Sequence, residues 1–334
     1  MAFSPLFYGD GKIDIHSFAW YDLWTLYRYR HQALSLDSAR MLTFGSPMGP
    51  AGLYDHLHPA RGVATMVAPA RGGSQKLIGQ MRYILGSRSA HLSFLMPASA
   101  ASSPNLPKLL DRLALQAGEW GAFNLLGEID ERSQALEGMR KASFVVYAWQ
   151  RVWQLPSQDG NNRERTAVWQ PATAADEIPI RNLYQSLVPP LVQSAEHLPD
   201  QRMQGLVYRK EGEVLAYIEG IYGPRGIYLY PMAHPDLENA AELLCNLPGH
   251  LLTRLGRPVY LAVRSYQAWL EVALEELDAK VSPRQALMVK HLAIGQRVLQ
   301  TNPRLAVIEN RQAEASAPMV NNYLGQQEEC KDNN

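Results

Sequence analysis

Cysteine is almost missing from this chain, with only Cys245 and Cys330 in 334 residues. They lie far apart, one in an apolar helical run and one in a polar tail. That excludes a disulfide framework and a cysteine-based metal site, and it fits a reducing cytoplasm. Charge imbalance is missing too: Lys+Arg 32 stand against Asp+Glu 32, so no overall field draws the protein to nucleic acid or to an anionic membrane. No run approaches the roughly 20 apolar residues that cross a bilayer. The opening MAFSPLFYGDGKIDIHSF has no basic segment followed by a long apolar stretch, so a protein neither secreted nor membrane-embedded is expected. Neither a phosphate-binding lysine loop nor a Gly-x-Ser-x-Gly elbow is visible. His56 and His58 in LYDHLHPARG come nearest to a metal-ligand pair, but no Cys or acidic set completes them and they read as an exposed turn.

What is present is ordinary globular material, and 334 residues suggest two domains at about 100 to 200 residues each. After a strand-like start, WYDLWTLYRYRHQAL places Trp20, Leu23, Trp24, Tyr27 and His31 at helical spacing. We read that stripe as core packing rather than a base-stacking platform, because such platforms come with a basic excess. GVATMVAPA, KLIGQMRYIL and AHLSFLMPA follow as short apolar runs separated by turns, the pattern of an antiparallel meander. LPKLLDRLALQAGEWG repeats Leu106, Leu109, Leu110, Leu113 and Ala117 as a helix does, FNLLGEI reads as a strand, SQALEGMRKASF as a short helix, and VVYAWQRVWQL alternates as a closing strand.

Residues 156–165, PSQDGNNRER, are polar and aperiodic and mark the expected linker between a domain at 1–155 and a second at 166–300. The second series runs in the same order, from AVWQPA and a helix at EIPIRNLYQSL to a final strand at QALMVKHLAI. LIGQMRYILGSRSAHLSFLMP lies on VLAYIEGIYGPRGIYLYPMAH without a gap, pairing Gly86 with Gly223, Arg88 with Arg225 and Leu92 with Leu229. Residues 301–334 are polar and aperiodic, an expected disordered tail.

Strand, helix, three-stranded meander, helix, strand, helix and strand, occurring twice, resembles the GCN5-related N-acetyltransferase (GNAT) family. LLGEIDERSQALEGMRKASF is similar to its late strand, helix and last-strand entry, and VWQPATAADEIPIRNLYQSL to its opening. The resemblance implies an α/β fold of two consecutive domains, each a mixed, mostly antiparallel sheet flanked by helices. It also implies acetyl-CoA or another acyl-CoA as cosubstrate, a small-molecule or peptide amine as acceptor, and transfer onto that amine.

The family holds its cofactor where the fourth and fifth strands splay, with the pyrophosphate on amides at the next helix start, where unpaired N–H groups and the helix dipole favour an anion. In the first half this implies a pantetheine arm along Leu95, Met96 and Ala98 and a diphosphate near Ser102, Ser103 and Asn105; Ser and Asn there serve equally as helix caps. In the second half Asp236 and Glu238 stand at the corresponding place and repel a diphosphate. The family's proton-donating Tyr is replaced by Met139 and Leu274. Glu128 with Ser133 is then the candidate base and water partner, and Tyr147 the candidate donor, against the plainer readings of a solvated strand-end charge and a packed tyrosine. No metal site is expected. Two functions remain: an acyl-CoA-dependent N-acyltransferase, or a noncatalytic tandem scaffold that binds a ligand or a partner.

Overall fold

The computed structural model describes residues 15–46, 62–69, 76–156, 169–198, 203–251 and 256–292. All of them fall within one compact unit, Met1–Ile294. The linker expected at residues 156–165 (beyond Pro156), His56, His58 and the tail lie outside the described residues.

The first half runs β1 (His16–Ser17), α1 (Leu23–Tyr29), β2 (Leu34–Ser35), α2 (Ser38–Phe44), the meander β3 (Val63–Pro69), β4 (Lys76–Tyr83) and β5 (Ser89–Met96), then α3 (Leu106–Glu119), β6 (Asn124–Asp130), α4 (Ala135–Lys141) and β7 (Val145–Gln154). The second runs β8 (Trp169–Pro171), α5 (Glu177–Leu187), α6 (Pro190–Ala195), β9 (Gly205–Lys210), β10 (Glu213–Tyr222), β11 (Ile227–Ala233), α7 (Ala240–His250), β12 (Val259–Arg264), α8 (Trp269–Glu276), β13 (Lys280–Val281) and β14 (Gln285–His291). Apart from the two-residue strands β2 and β13, the order of elements is the same in both, as the sequence pattern implies. The periodic leucines of α3 are all buried against the first sheet half.

The two halves are not closed separately. Among the described residues there is one sheet, in which β14 lies between β6 and β7, and β7 lies between β14 and β12. Each half therefore receives a central strand from the other. The register is symmetric about one point: Gln285 of β14 stands opposite both Asp130 and Gln150, and Gln150 of β7 stands opposite both Gln285 and Arg264. The two glutamines bond to each other there, Gln150 Nε2 donating to Gln285 Oε1 at 2.9 Å.

Alternation along the shared strands sorts the helices onto two faces. Ala286 and Met288 point to the layer of α3 and α4, whereas Leu287 and Val289 point to the layer of α5 and α6. Trp149 and Trp153, four apart on β7, carry the first face across from α3 and α4 to α7 and α8.

A duplicated detail fixes how each half begins. Asp22 and Asp176 are both buried at the start of the first helix of their half, and each accepts from a backbone amide three residues earlier, Ala19 or Thr173. Each is ion-paired to a strand cation, Lys76 or Arg209. Burial alone works against ionising these carboxyls, but the cation and the capping hydrogen bonds outweigh it and hold both below the usual range.

This corrects the expected role of the first aromatic stripe. Trp20 is 80% and Trp24 75% exposed, and Tyr27 is exposed as well, while Asp22, Leu26 and Tyr29 form the buried face. The rotational phase of α1 is set by the buried Asp22 ion pair, which turns the large rings outward.

The turn between β10 and β11 clasps α2, with Arg225 N donating to the Thr43 carbonyl at 2.9 Å. Gly223 lies so close that a Cβ there would run into that same carbonyl. Gly223→Ala is therefore expected to cost about 1–3 kcal/mol, because backbone cannot yield as a flexible side chain does. A denaturant midpoint equal to the parent's would show that α2 and this turn are not in contact.

Candidate functional site

The splay of β5 and β6 has a local cause. The two strands pair in parallel only from Ser89↔Asn124 to His91↔Leu126. Against β4, β5 carries an extra residue at Ser93, because Leu92 faces Met81 and Phe94 faces Gln80. Such a bulge bends the strand, and beyond it β5 parts from β6.

The chain itself fills the opening. Leu34 and Ser35 pair with Leu95 and Phe94, Leu36 N donates to Ser93 O at 3.0 Å, and Glu128 N donates to Leu36 O at 2.9 Å. Leu36 thus bridges the parted strands, and its side chain is buried. Ser38 N, the next amide donor beyond Asp37, bonds Glu128 Oε2 at 2.9 Å.

Acyl-CoA does not fit this cleft as it stands. The backbone beside Leu95 is already paired, Leu95 and Met96 are fully buried, and Ala98 N donates to Gln32 O. At the helix entrance the amides of Ala100, Ala101, Ser103 and Leu106 bond to earlier carbonyls. Asn105 N donates to Ser103 Oγ, and Asn105 Nδ2 to Pro69 O. Ser103 and Asn105 thus spend these polar groups on the loop and on β3, and of Ser102, Ser103 and Asn105 only Ser102 is exposed.

The second cleft is filled differently. β11 and β12 pair from Ile227↔Val259 to Leu229↔Leu261 and then part. Buried Gln267 occupies the gap: its Oε1 accepts from Ala233 N at 2.9 Å and its Nε2 donates to Pro231 O at 3.0 Å. Asp236 and Glu238 precede α7 in the chain, Glu238 paired to Lys210.

Between the halves lies a cavity of about 790 Å³. First-half residues Asp37, Glu128 and Tyr147 meet second-half residues Glu196, Tyr230 and Arg264 there. Tyr147 is the extra residue of a bulge in β7, where Ala148 faces Leu287 and Val146 faces Met288. Its hydroxyl donates to Glu196 Oε1. Arg264 Nη2 binds both oxygens of the same carboxylate, at 3.0 and 3.1 Å, and the guanidinium is buried.

Electrostatics distinguish these groups. Burial pushes the Glu128 carboxyl up to about 7, with Asp37 adding to the rise while Arg264 and the side chain and amide of Ser38 pull it back. Burial also works against the Arg264 charge, but Glu196 and the surrounding acidic groups hold it firmly protonated. Burial and the neighbouring Glu196 raise the Tyr147 hydroxyl well above the usual range.

Of the three candidate catalytic residues, Glu128 and Tyr147 share this cavity. Ser133 does not line it: its hydroxyl accepts from Ala135 N at the start of α4. Glu128 is not an ordinary solvated charge, and its serine neighbour is Ser38 rather than Ser133: both the amide and the side chain of Ser38 favour its ionised form. Met139 and Leu274 are fully buried core residues.

Asp37, Glu196 and Arg264 were not singled out from the sequence. Arg264 had a signal, since it ends the otherwise apolar run Val259–Arg264, and a cation in a buried strand needs a partner. Glu196 had none, because its carboxylate reaches Arg264 only across the fold.

Among the described residues no group of three or more His, Cys, Asp or Glu is arranged to hold a metal ion. No helix among them is long and apolar enough to cross a membrane.

The element order of each half, the meander leading into a parallel pair that splays, and the helices on both faces make the fold GNAT-like, in tandem. No family model matches the sequence, and no curated protein matches it. Among solved structures the chain is similar to a GCN5-related N-acetyltransferase from Sphaerobacter thermophilus, at 14% identity, a TM-score of 0.38, and coverage of 68% of this chain and 80% of that one. It is similar to an acetyltransferase of the GNAT family from Colwellia psychrerythraea, at 14% identity and a TM-score of 0.39, covering 83% and 99%. It is also similar to a tandem GNAT protein from the clavulanic acid biosynthesis pathway, solved without acetyl-CoA, at 11% identity and a TM-score of 0.42, covering 84% and 98%.

Proposed function

We propose that the chain is a cytoplasmic GNAT-fold binding protein that takes a small-molecule or peptide amine into the cavity between its halves and does not hold acyl-CoA in either cleft. The observation that carries this reading is Leu36, hydrogen-bonded to both β5 and β6 where a pantetheine arm would run. Cys245 as a thiol fits a reducing compartment.

The lining supports this ligand class. Four carboxyl groups, Asp37, Glu128, Glu196 and Glu219, stand against two guanidinium groups, Arg88 and Arg264. Tyr147, Tyr217 and Tyr230 also line the cavity, and the Arg264 guanidinium lies 6.0 Å from the centre of the Tyr230 ring.

Calorimetric titration of the full chain tests the reading. Acetyl-CoA is expected to give no saturable heat, and a panel of primary amines is expected to raise the melting temperature, since a ligand that binds only the native state stabilises it. Saturable acetyl-CoA binding that Ser102→Asp/Ser103→Asp weakens through like-charge repulsion would overturn it in favour of the first cleft.

One observation favours an acyl-CoA-dependent N-acyltransferase acting on the same amine: a carboxyl near neutrality, as at Glu128, suits a base that takes a proton from an ammonium group. Amine-dependent release of thiol from acetyl-CoA, lost in Glu128→Gln, would replace the binding reading with this one.

A further inference from the structure

The cavity has two chemically different ends. Its floor carries Glu128, Tyr147 and Arg264, all held by hydrogen bonds or ion pairs to other parts of the chain. Its lining also includes Ile84 and Leu85, at the tip of the β4–β5 turn, and Ile221, near the end of β10. Ile84 is 71% and Leu85 91% exposed, and Ile221 is exposed as well.

Packing of the protein itself does not require these side chains at the rim. The equivalent turn of the second half, around Gly223 and Arg225, is consumed in clasping α2. The first-half turn is anchored by other groups. Ser87 N closes it onto Ile84 O at 2.9 Å, Gly86 supplies the left-handed residue, and Ser89 Oγ, just beyond, reaches Ala195 O at the end of α6. The backbone of the turn is thus fixed while two large apolar side chains stand in water at the edge of a cavity with a polar floor. Isolated exposed apolar residues are ordinary, but adjacent ones rimming a cavity mark a contact surface.

We propose that the ligand is amphiphilic: an amine head on the Glu128 floor and an alkyl or acyl chain that leaves the cavity across Ile84, Leu85 and Ile221. This rests on reading the cavity as an amine site, and it adds the requirement for a chain. A turn already fixed in place loses little conformational freedom on covering such a chain, so the burial appears in the affinity. Each methylene taken out of water is expected to tighten binding about fourfold.

The test compares ethylamine, decylamine and decanoate, each titrated into the full chain below its micelle-forming concentration. Decylamine is expected to bind upward of about 100-fold more tightly than ethylamine. Ile84→Ser/Leu85→Ser, which alters only exposed positions and leaves the core intact, is expected to remove most of that advantage and leave ethylamine unchanged. Equal affinity of the two amines overturns the chain requirement and keeps the amine site. A loss of both amines to the same degree in the double variant also overturns it, because the rim would then act on the head. Binding of decanoate with neither amine bound overturns the amine reading and keeps the apolar rim. Failure of all three to bind overturns both.

Discussion

A chain ended after Arg284 is expected to lose cooperative folding altogether. Of the described elements this truncation removes only β14, but that is the strand that fills the first half, pairing with β6 over Gln285↔Asp130 to His291↔Asn124 and with β7 on its other side. Ala286, Leu287, Met288 and Val289 are all fully buried, two facing each helical layer. Three large side chains at roughly 1.5–3 kcal/mol each, with ladder hydrogen bonds lost on two strands, amount to most of the roughly 5–15 kcal/mol by which a folded chain is stable. The same argument runs in reverse for β7, which the second half needs beside β12. We therefore expect residues 1–156 and 166–292 to be unfolded or aggregated when expressed separately and to recover a common cooperative melt when co-expressed. A sharp thermal transition for the chain ended after Arg284, followed by circular dichroism, would show that the first half closes without the strand it borrows.

That exchange is the largest feature the sequence does not display. VVYAWQRVWQL and QALMVKHLAI both read as final strands, and each is one. What alternation cannot encode is which edge a strand joins, since β6, β7, β12 and β14 all present apolar residues to two covered faces. The helices α3, α5 and α8 were legible because each keeps an apolar stripe longer than two turns. The meander was legible because glycine-bearing turns separate its runs, and the gap-free match across Gly86 and Gly223 identified corresponding turns in the two halves. The phase of α1 was not legible: apolar counting favours burial of Trp20 and Trp24, and the buried Asp22, bound by Lys76 and His16, overrides it.

The site divides along the same line. Glu128 is legible as a carboxyl on the late strand and Tyr147 as a substitute for the donor missing at Met139, and both line the cavity. Ser133 is near Glu128 in sequence, yet β6 ends between them and the serine hydroxyl accepts from Ala135 N at the start of α4. Filling of the first cleft depends on HQALSLDSAR, where a two-residue strand carries no periodic signal. Filling of the second depends on one side chain, Gln267, whose only mark in the sequence is an uncharged polar residue between Tyr266 and Ala268. Short-range patterns reveal elements; the groups that close these clefts act between elements distant in the chain.

Glu128→Gln is expected to stabilise the protein above pH 7 and to leave it nearly unchanged below about pH 4.5. In the unfolded chain this carboxyl titrates near its ordinary 4.5, whereas burial raises it in the folded protein to about 7. Between those values the folded state holds more protons than the unfolded one, so stability falls as pH rises through that window. Below it both states are protonated and the glutamate carries no penalty. Above it the folded protein bears an ionised group that burial and Asp37 disfavour, and at 1.36 kcal/mol per pH unit the accumulated loss is at most about 3 kcal/mol. Glutamine removes the ionisation while its carbonyl still accepts from Ser38 N, so the tie between α2 and β6 survives. The gain is limited by Arg264, which loses one of its two nearby acidic partners and keeps Glu196. Melting temperatures of parent and variant at pH 4.5, 6 and 8 provide the measurement: the two curves should meet at the lowest pH and separate by several degrees at the highest, at roughly 2–4 °C per kcal/mol. A variant less stable than the parent at pH 8 would mean that the ionised carboxylate is compensated by Arg264 and the Ser38 amide more fully than burial penalises it.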